Sequence, residues 1–160
     1  MTFKPNVWEA ANTGNLHELV AALASHPHLI DTPDVNGLTP LYAAASNGHV
    51  SVIDTLFRPG SKAIDLPDND GFTPMYAAAE SGHVSVVETL FRLGSMAIDA
   101  PTNFGWTPLT AAASNGHVSV IETLVRLGSQ AIDIPDKKGK AAAWNGHMLQ
   151  SLRHLFDWEA

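Results

Sequence analysis

The chain has no cysteine in its 160 residues, which excludes disulfides, thiolate chemistry and cysteine-held zinc. Charge is scarce. Charged residues make up 16% against 45% hydrophobic, so the chain has ample apolar surface to bury and is not intrinsically disordered. What charge there is leans acidic, with a formal net value of −7. That sign opposes phosphate backbones and anionic lipid, so neither a nucleic acid nor a membrane is an expected partner. Long apolar runs are missing too. Nothing approaches the about 18 residues of a membrane span, and the opening Met-Thr-Phe-Lys-Pro-Asn-Val-Trp-Glu has no signal-type apolar core. The expectation is an intracellular, cytoplasmic protein, with the nucleus left open. There is no Walker-type glycine loop and no dinucleotide fingerprint, so no cofactor is expected.

What is present is repetition. Asp31, Asp65, Asp99 and Asp133 stand 34 residues apart, as do Pro33, Pro67, Pro101 and Pro135, and Gly37, Gly71, Gly105 and Gly139. Gly48, Gly82 and Gly116 keep the same step, each followed by histidine. Each unit opens on a turn such as Pro67-Asp68-Asn69-Asp70-Gly71, whose Asx and Gly residues suit turn backbone. Thr73-Pro74 then starts a helix, threonine as N-cap and proline at the first helical position. Met75 to Ala79 continue it, and Ser81-Gly82-His83 breaks it. A second helix over Val84 to Leu93 places Val84, Val87, Leu90 and Phe91 at helical spacing, and Gly94-Ser95 ends it. Small alanines let the first helices approach, while bulkier second helices stay apart. The stack therefore curves, with turns and first helices on the concave side. On the polar side, Asp54–Arg58, Glu88–Arg92 and Glu122–Arg126 are spaced for ion pairs along one helix.

These units resemble ankyrin repeats, through Asp34-Val35-Asn36-Gly37-Leu38-Thr39-Pro40-Leu41-Tyr42, Asp68 to Tyr76 and, more loosely, Thr102 to Thr110, where Thr102 takes the aspartate place. The tetratricopeptide repeat shares the period but lacks the Thr-Pro-Leu turn. The resemblance implies an all-α helix–turn–helix solenoid with short hairpin-like loops, and recognition of a protein through turn tips and exposed first-helix positions. The chain departs from the family in three ways. The usual period is roughly 33, and the extra residue is expected in the Gly-Ser-x-Ala-Ile-Asp loop. The signature histidine is replaced by Tyr42, Tyr76 and Thr110. The last unit, Gly139 to His147, is four residues short and lacks Thr-Pro. Aligning Gly14 with Gly48 makes the N-terminus a capping unit, with Trp8 over Tyr42 and a second helix over Leu16 to Leu23. One domain of five units is expected: a cap at 1–30, then 31–64, 65–98, 99–132 and a truncated cap at 133–160.

Eight histidines raise the question of metal or catalysis. His49, His83, His117 and His147 share one slot and are read as capping or bracing the loop before the second helix. Helices about 8–10 Å apart do not let neighbouring imidazoles share a zinc that needs nitrogens at about 2 Å. Neither that column nor His26-Pro27-His28 is assigned a metal. The aspartates at 31, 65, 99 and 133 are read as loop-bracing or solvated. Nothing pairs one nucleophile with one base, so no catalytic residue is assigned and the chain is read as non-enzymatic.

The binding residues are sought where the units differ. After the turn glycine the series runs Leu38, Phe72, Trp106, Lys140, and before it Asn36, Asp70, Phe104, Lys138. Slots that vary within an array are released from the stacking constraint. Leu38, Phe72, Phe104, Trp106 and Trp144 are therefore the candidate apolar strip for a protein partner. Trp8, Tyr42 and Tyr76 form a second column, which either contacts the partner or packs beneath the turns. Lys137, Lys138 and Lys140 make a basic tip that keeps the end unit soluble or receives an acidic segment. The competing use of the same strip, or of the truncated unit, is self-association into a homo-oligomer.

Overall fold

The computed structural model describes residues 6–58 and 60–131. Residues 132–160, which include Trp144, the Lys137–Lys140 tip, His147, Asp133 and the shortened last unit, lie outside the described residues. The described chain holds eight α-helices in antiparallel pairs: α1 (Val7–Thr13) with α2 (Leu16–Ser25), α3 (Pro40–Ser46) with α4 (Val50–Phe57), α5 (Pro74–Glu80) with α6 (Val84–Arg92), and α7 (Pro108–Ser114) with α8 (Val118–Arg126). Short 3-10 turns at Pro27–Asp31, Ala63–Asp65 and Ala97–Asp99 lead into the hairpin-like turns, and the described residues contain no strand. First helices stack on first helices and second on second, more closely along the first. The alanine pairs Ala10-Ala11, Ala44-Ala45 and Ala78-Ala79 are fully buried there. The difference makes each unit a wedge.

Each helix starts where its sequence says. Thr39, Thr73 and Thr107 hydroxyls accept the N–H groups of Tyr42, Tyr76 and Thr110 at 3.1, 3.2 and 3.2 Å. Thr110 returns the contact by accepting the Thr107 N–H at 2.8 Å, so the fourth unit closes a reciprocal cap that the tyrosine units lack. Within α6 the buried face is Val86, Val87 and Leu90. Phe91, expected on that face, is exposed, because the buried face centres on Val86 and Leu90 and extends to Thr89, which leaves Phe91 beyond Val87 at its far edge.

Three rows of contacts run along the stack of helix pairs. At the turns, Asn69 N–H donates to the Asn36 carbonyl at 3.1 Å and Asn103 N–H to the Asp70 carbonyl at 2.9 Å. In the middle, His49, His83 and His117 donate from Nε2 to the carbonyls of Asn12, Ser46 and Glu80 at 3.1, 3.1 and 2.9 Å. A carbonyl only accepts, so Nε2 carries the proton. The column braces as expected, but across the interface rather than within its own loop, and none of these side chains caps the helix it precedes. At the far loops, Ser61, Ser95 and Ser129 hydroxyls donate to Asp31, Asp65 and Asp99, each at 2.5 Å. The second oxygen of each aspartate accepts the N–H of Lys62, Met96 or Gln130 at 2.9, 2.8 and 2.7 Å. The Gly-Ser-x-Ala loop after one second helix thus clamps the aspartate that follows the second helix before it.

The expected ion pairs along single helices are not what forms. Arg92 pairs with Asp54 at 3.1 Å and Arg126 with Glu88 at 2.6 Å, each reaching to the preceding second helix. Stacking brings the neighbouring carboxylate alongside, and the arginines take it instead of the one four residues earlier.

Candidate functional site

The turns fix the direction of the candidate side chains. Asp34 Oδ1 accepts the N–H groups of Asn36 and Leu38 at 2.8 and 2.9 Å, and Asp68 Oδ1 those of Asp70 and Phe72, both at 2.9 Å. Thr102 does the same with its hydroxyl for Phe104 and Trp106, at 3.3 and 3.1 Å. In each turn the first residue's N–H also donates back to the carbonyl of the residue after the glycine. The slots after and before the glycine are held by this local network, which leaves their side chains unconstrained by stacking.

Four aromatic rings from two adjacent units meet on this side. Phe104 and Trp106 have centroids 5.3 Å apart, and Phe72 lies 6.2 Å from Phe104 and 6.4 Å from Trp106. Tyr76 sits beneath, 4.8 Å from Phe72. All are tilted arrangements in the range where aromatic pairs attract. Phe104 and Trp106 remain 46% and 42% exposed, so the cluster is anchored inside and open outside. Leu38 occupies the equivalent slot one unit earlier and is half-buried.

Of the second column, Tyr76 packs against Phe72. Tyr76 is buried, and its hydroxyl is pushed up to about 12 by that burial and then by the Glu80 carboxylate. Tyr42 is half-buried, its pKa raised further by burial, then by Asp68, Glu80 and Tyr76. Trp8 is also half-buried, and its indole N–H is enclosed without a hydrogen-bond partner. A cleft of about 180 Å³ beside it is lined by Asn6, Leu29, Thr32, Asp34 and Pro40.

The helix pairs, the Thr-Pro starts and the bonded turns coincide with a known repeat. The family description of ankyrin repeats in three copies matches residues 7–100, and that of a single ankyrin repeat matches residues 104–137. The chain belongs to the ankyrin-repeat family. Ankyrin repeats generally mediate protein–protein interaction and are typically non-catalytic. No curated protein matches the chain. Among the described residues of these ankyrin repeats, no three histidine, aspartate or glutamate side chains gather as a metal-binding group. No described helix is long and apolar enough to cross a membrane.

One exposed apolar residue of the ankyrin turns was not among the candidates. Val35 stands at the tip of the second unit's turn and is 93% exposed. Its slot carries Asn69 and Asn103 in the following units, and that variation is the signal that marks it.

Proposed function

We propose that the chain is a protein-binding scaffold whose turn-bearing face docks its partner through Phe72, Phe104 and Trp106, with Leu38 extending the strip. The observation that carries this reading is the ring cluster itself: Phe104 and Trp106 expose nearly half their surface while packed against each other in a tilted arrangement. Aromatic side chains held rigid yet exposed lose little entropy on docking, which is why such residues dominate binding energy. Tyr42 and Tyr76 act from beneath by supporting the strip.

The test is Trp106→Ala, with its stability and its capture of partner protein measured on the same preparation. Affinity is expected to fall by about 2 kcal/mol or more, with the melting point nearly unchanged. A variant that binds normally and melts early removes the strip from the binding site. Light scattering of the wild type over a concentration series supplies the other decision: assembly that Trp106→Ala disperses makes a second copy the partner.

A further inference from the structure

We propose that this face, across the third and fourth units, takes a basic segment of the partner, with an arginine side chain laid on the Phe104 and Trp106 rings and neighbouring cations answered by Asp70 and Glu80. The inference rests on the reading that the face is the docking surface, and it adds the chemistry of the occupant.

The described chain sorts its charge by face. Segments 6–15, 32–49, 66–83 and 100–117 carry the turns and first helices, and they hold Glu9, Asp34, Asp68, Asp70 and Glu80 but no lysine or arginine. The described basic residues, Arg58, Lys62, Arg92 and Arg126, all lie on the second helices or the loops after them. There Arg92 and Arg126 are occupied by Asp54 and Glu88. Over the described residues the turn-bearing face is therefore acidic and aromatic, Lys137, Lys138 and Lys140 of the fifth unit's turn lying outside them, and the other face is mixed and partly neutralised.

Two acids of the turn-bearing face serve the fold and two are left to solvent. Asp34 and Asp68 each bind their own turn through Oδ1. Asp70 and Glu80 are exposed and form no ion pair among the described residues. Their position matters. The Asp70 carbonyl holds the Asn103 N–H one residue before Phe104, and Glu80 lies close enough to Tyr76, beneath Phe72, to act on its hydroxyl. The fourth unit's segment 100–117 carries no Asp, Glu, Lys or Arg. Among the described turns and first helices, a cation over Trp106 thus meets aromatic faces below it and carboxylates only in the neighbouring unit.

The chemistry selects the occupant. The negative face of an aromatic ring attracts a cation, and a planar guanidinium stacks on it better than a compact ammonium. An acidic rim repels acidic segments and raises the encounter rate of basic ones, an effect that salt screens.

Calorimetric titration of the intact chain with an arginine–glycine octapeptide tests the proposal, beside lysine–glycine and glutamate–glycine peptides of equal length. The arginine peptide is expected to bind, the lysine peptide several-fold more weakly, and the glutamate peptide not at all. Trp106→Ala is expected to weaken the arginine peptide at least about tenfold. Trp106→Leu, which keeps apolar bulk without a ring face, serves if the alanine variant folds poorly, and it should lose binding as well. The pair Asp70→Asn with Glu80→Gln should weaken binding at least about fivefold and flatten its salt dependence. The pair Glu18→Gln with Glu122→Gln makes the same change in net charge on the second helices and should leave binding within about twofold. Equal losses from both pairs would reduce the effect to net charge and overturn the proposal, as would binding indifferent to Trp106. A cellular partner that is lost on Trp106→Ala but held at high salt by the Asp70, Glu80 variant keeps the docking face and overturns the basic occupant. A partner retained by Trp106→Ala overturns both. A second copy seated on the face, seen as assembly dispersed by Trp106→Ala with no peptide binding, also overturns it.

Discussion

At the scale of single residues, the repeated glycines and the buried tyrosines do work that side-chain polarity alone does not announce. Gly71 has φ of 87°, and a Cβ there would lie 2.8 Å from the Asn103 backbone nitrogen. Both the left-handed backbone and the approach of the next turn require glycine. Gly71→Ala is expected to cost at least about 1 kcal/mol, read as a lower urea midpoint; a midpoint at the wild-type value would show that the turn ladder yields freely. Tyr42 and Tyr76 make a pH prediction. Their folded pKa values lie above the ordinary tyrosine value of 10.0, with Tyr76 at about 12. The neutral hydroxyl is the form the fold favours. Its contribution is therefore complete below pH 10 and is lost as pH rises from there through 12. Urea melts at pH 8, 10 and 11 should show the loss beginning above about pH 10, and replacing both tyrosines with phenylalanine should remove it. A wild-type profile flat to pH 11 would contradict the burial of these hydroxyls.

At the scale of elements, the second helix has a buried side and a solvated side only two residues apart in sequence. Leu90 is fully buried between units, while Glu88 keeps half its side chain in water and holds Arg126. Leu90→Ala should cost roughly 2–5 kcal/mol. Glu88→Ala should cost under about 1 kcal/mol, because both partners of that pair are well exposed. Denaturant melts that rank the two the other way round would reverse the faces. A double-mutant cycle goes further. Coupling of Arg126 to Glu88 is expected at a few tenths of a kcal/mol, and coupling of Arg126 to Glu122 at less. Spacing of four along one helix pointed to the second pair. The stack decides for the first, because the neighbouring helix brings its carboxylate within 2.6 Å.

At the scale of the whole molecule, no unit stands alone. Histidine bonds and serine–aspartate clamps tie each described helix pair to the next, and turn amides add a third line from the second pair to the fourth. Nearest-neighbour terms of this kind make an array melt together when each interface outweighs the unit it joins. Variants that keep only Trp8 or only Trp106, with the other tryptophans changed to phenylalanine, should therefore report coincident urea midpoints by fluorescence. Separate midpoints would mean that the first unit or the fourth unfolds by itself.

The sequence by itself determined the architecture, because repetition turns one local rule into a global one. A Thr-Pro start, an alanine run, a Gly-His break and an amphipathic second helix, recurring every 34 residues, leave each unit with an apolar face that only its neighbours can cover. The slots that vary were visible in the sequence as well, although Phe72 in one of them packs against the rings of the next unit. Legibility ended wherever a partner lies one repeat away. His83 reaches Ser46, Ser95 reaches Asp65, and Arg92 reaches Asp54 across 37, 30 and 38 residues. No local pattern encodes these distances, because they follow from how one wedge seats on the next. Tertiary structure also decided which aromatics face outward. Tyr76 and Phe72 lie four residues apart and touch, yet the tyrosine is buried under the turn while Phe104 and Trp106 of the following unit complete the surface above it. The physical reason is packing: the space beneath a turn is set by two units together, and only their seating decides which ring fills it.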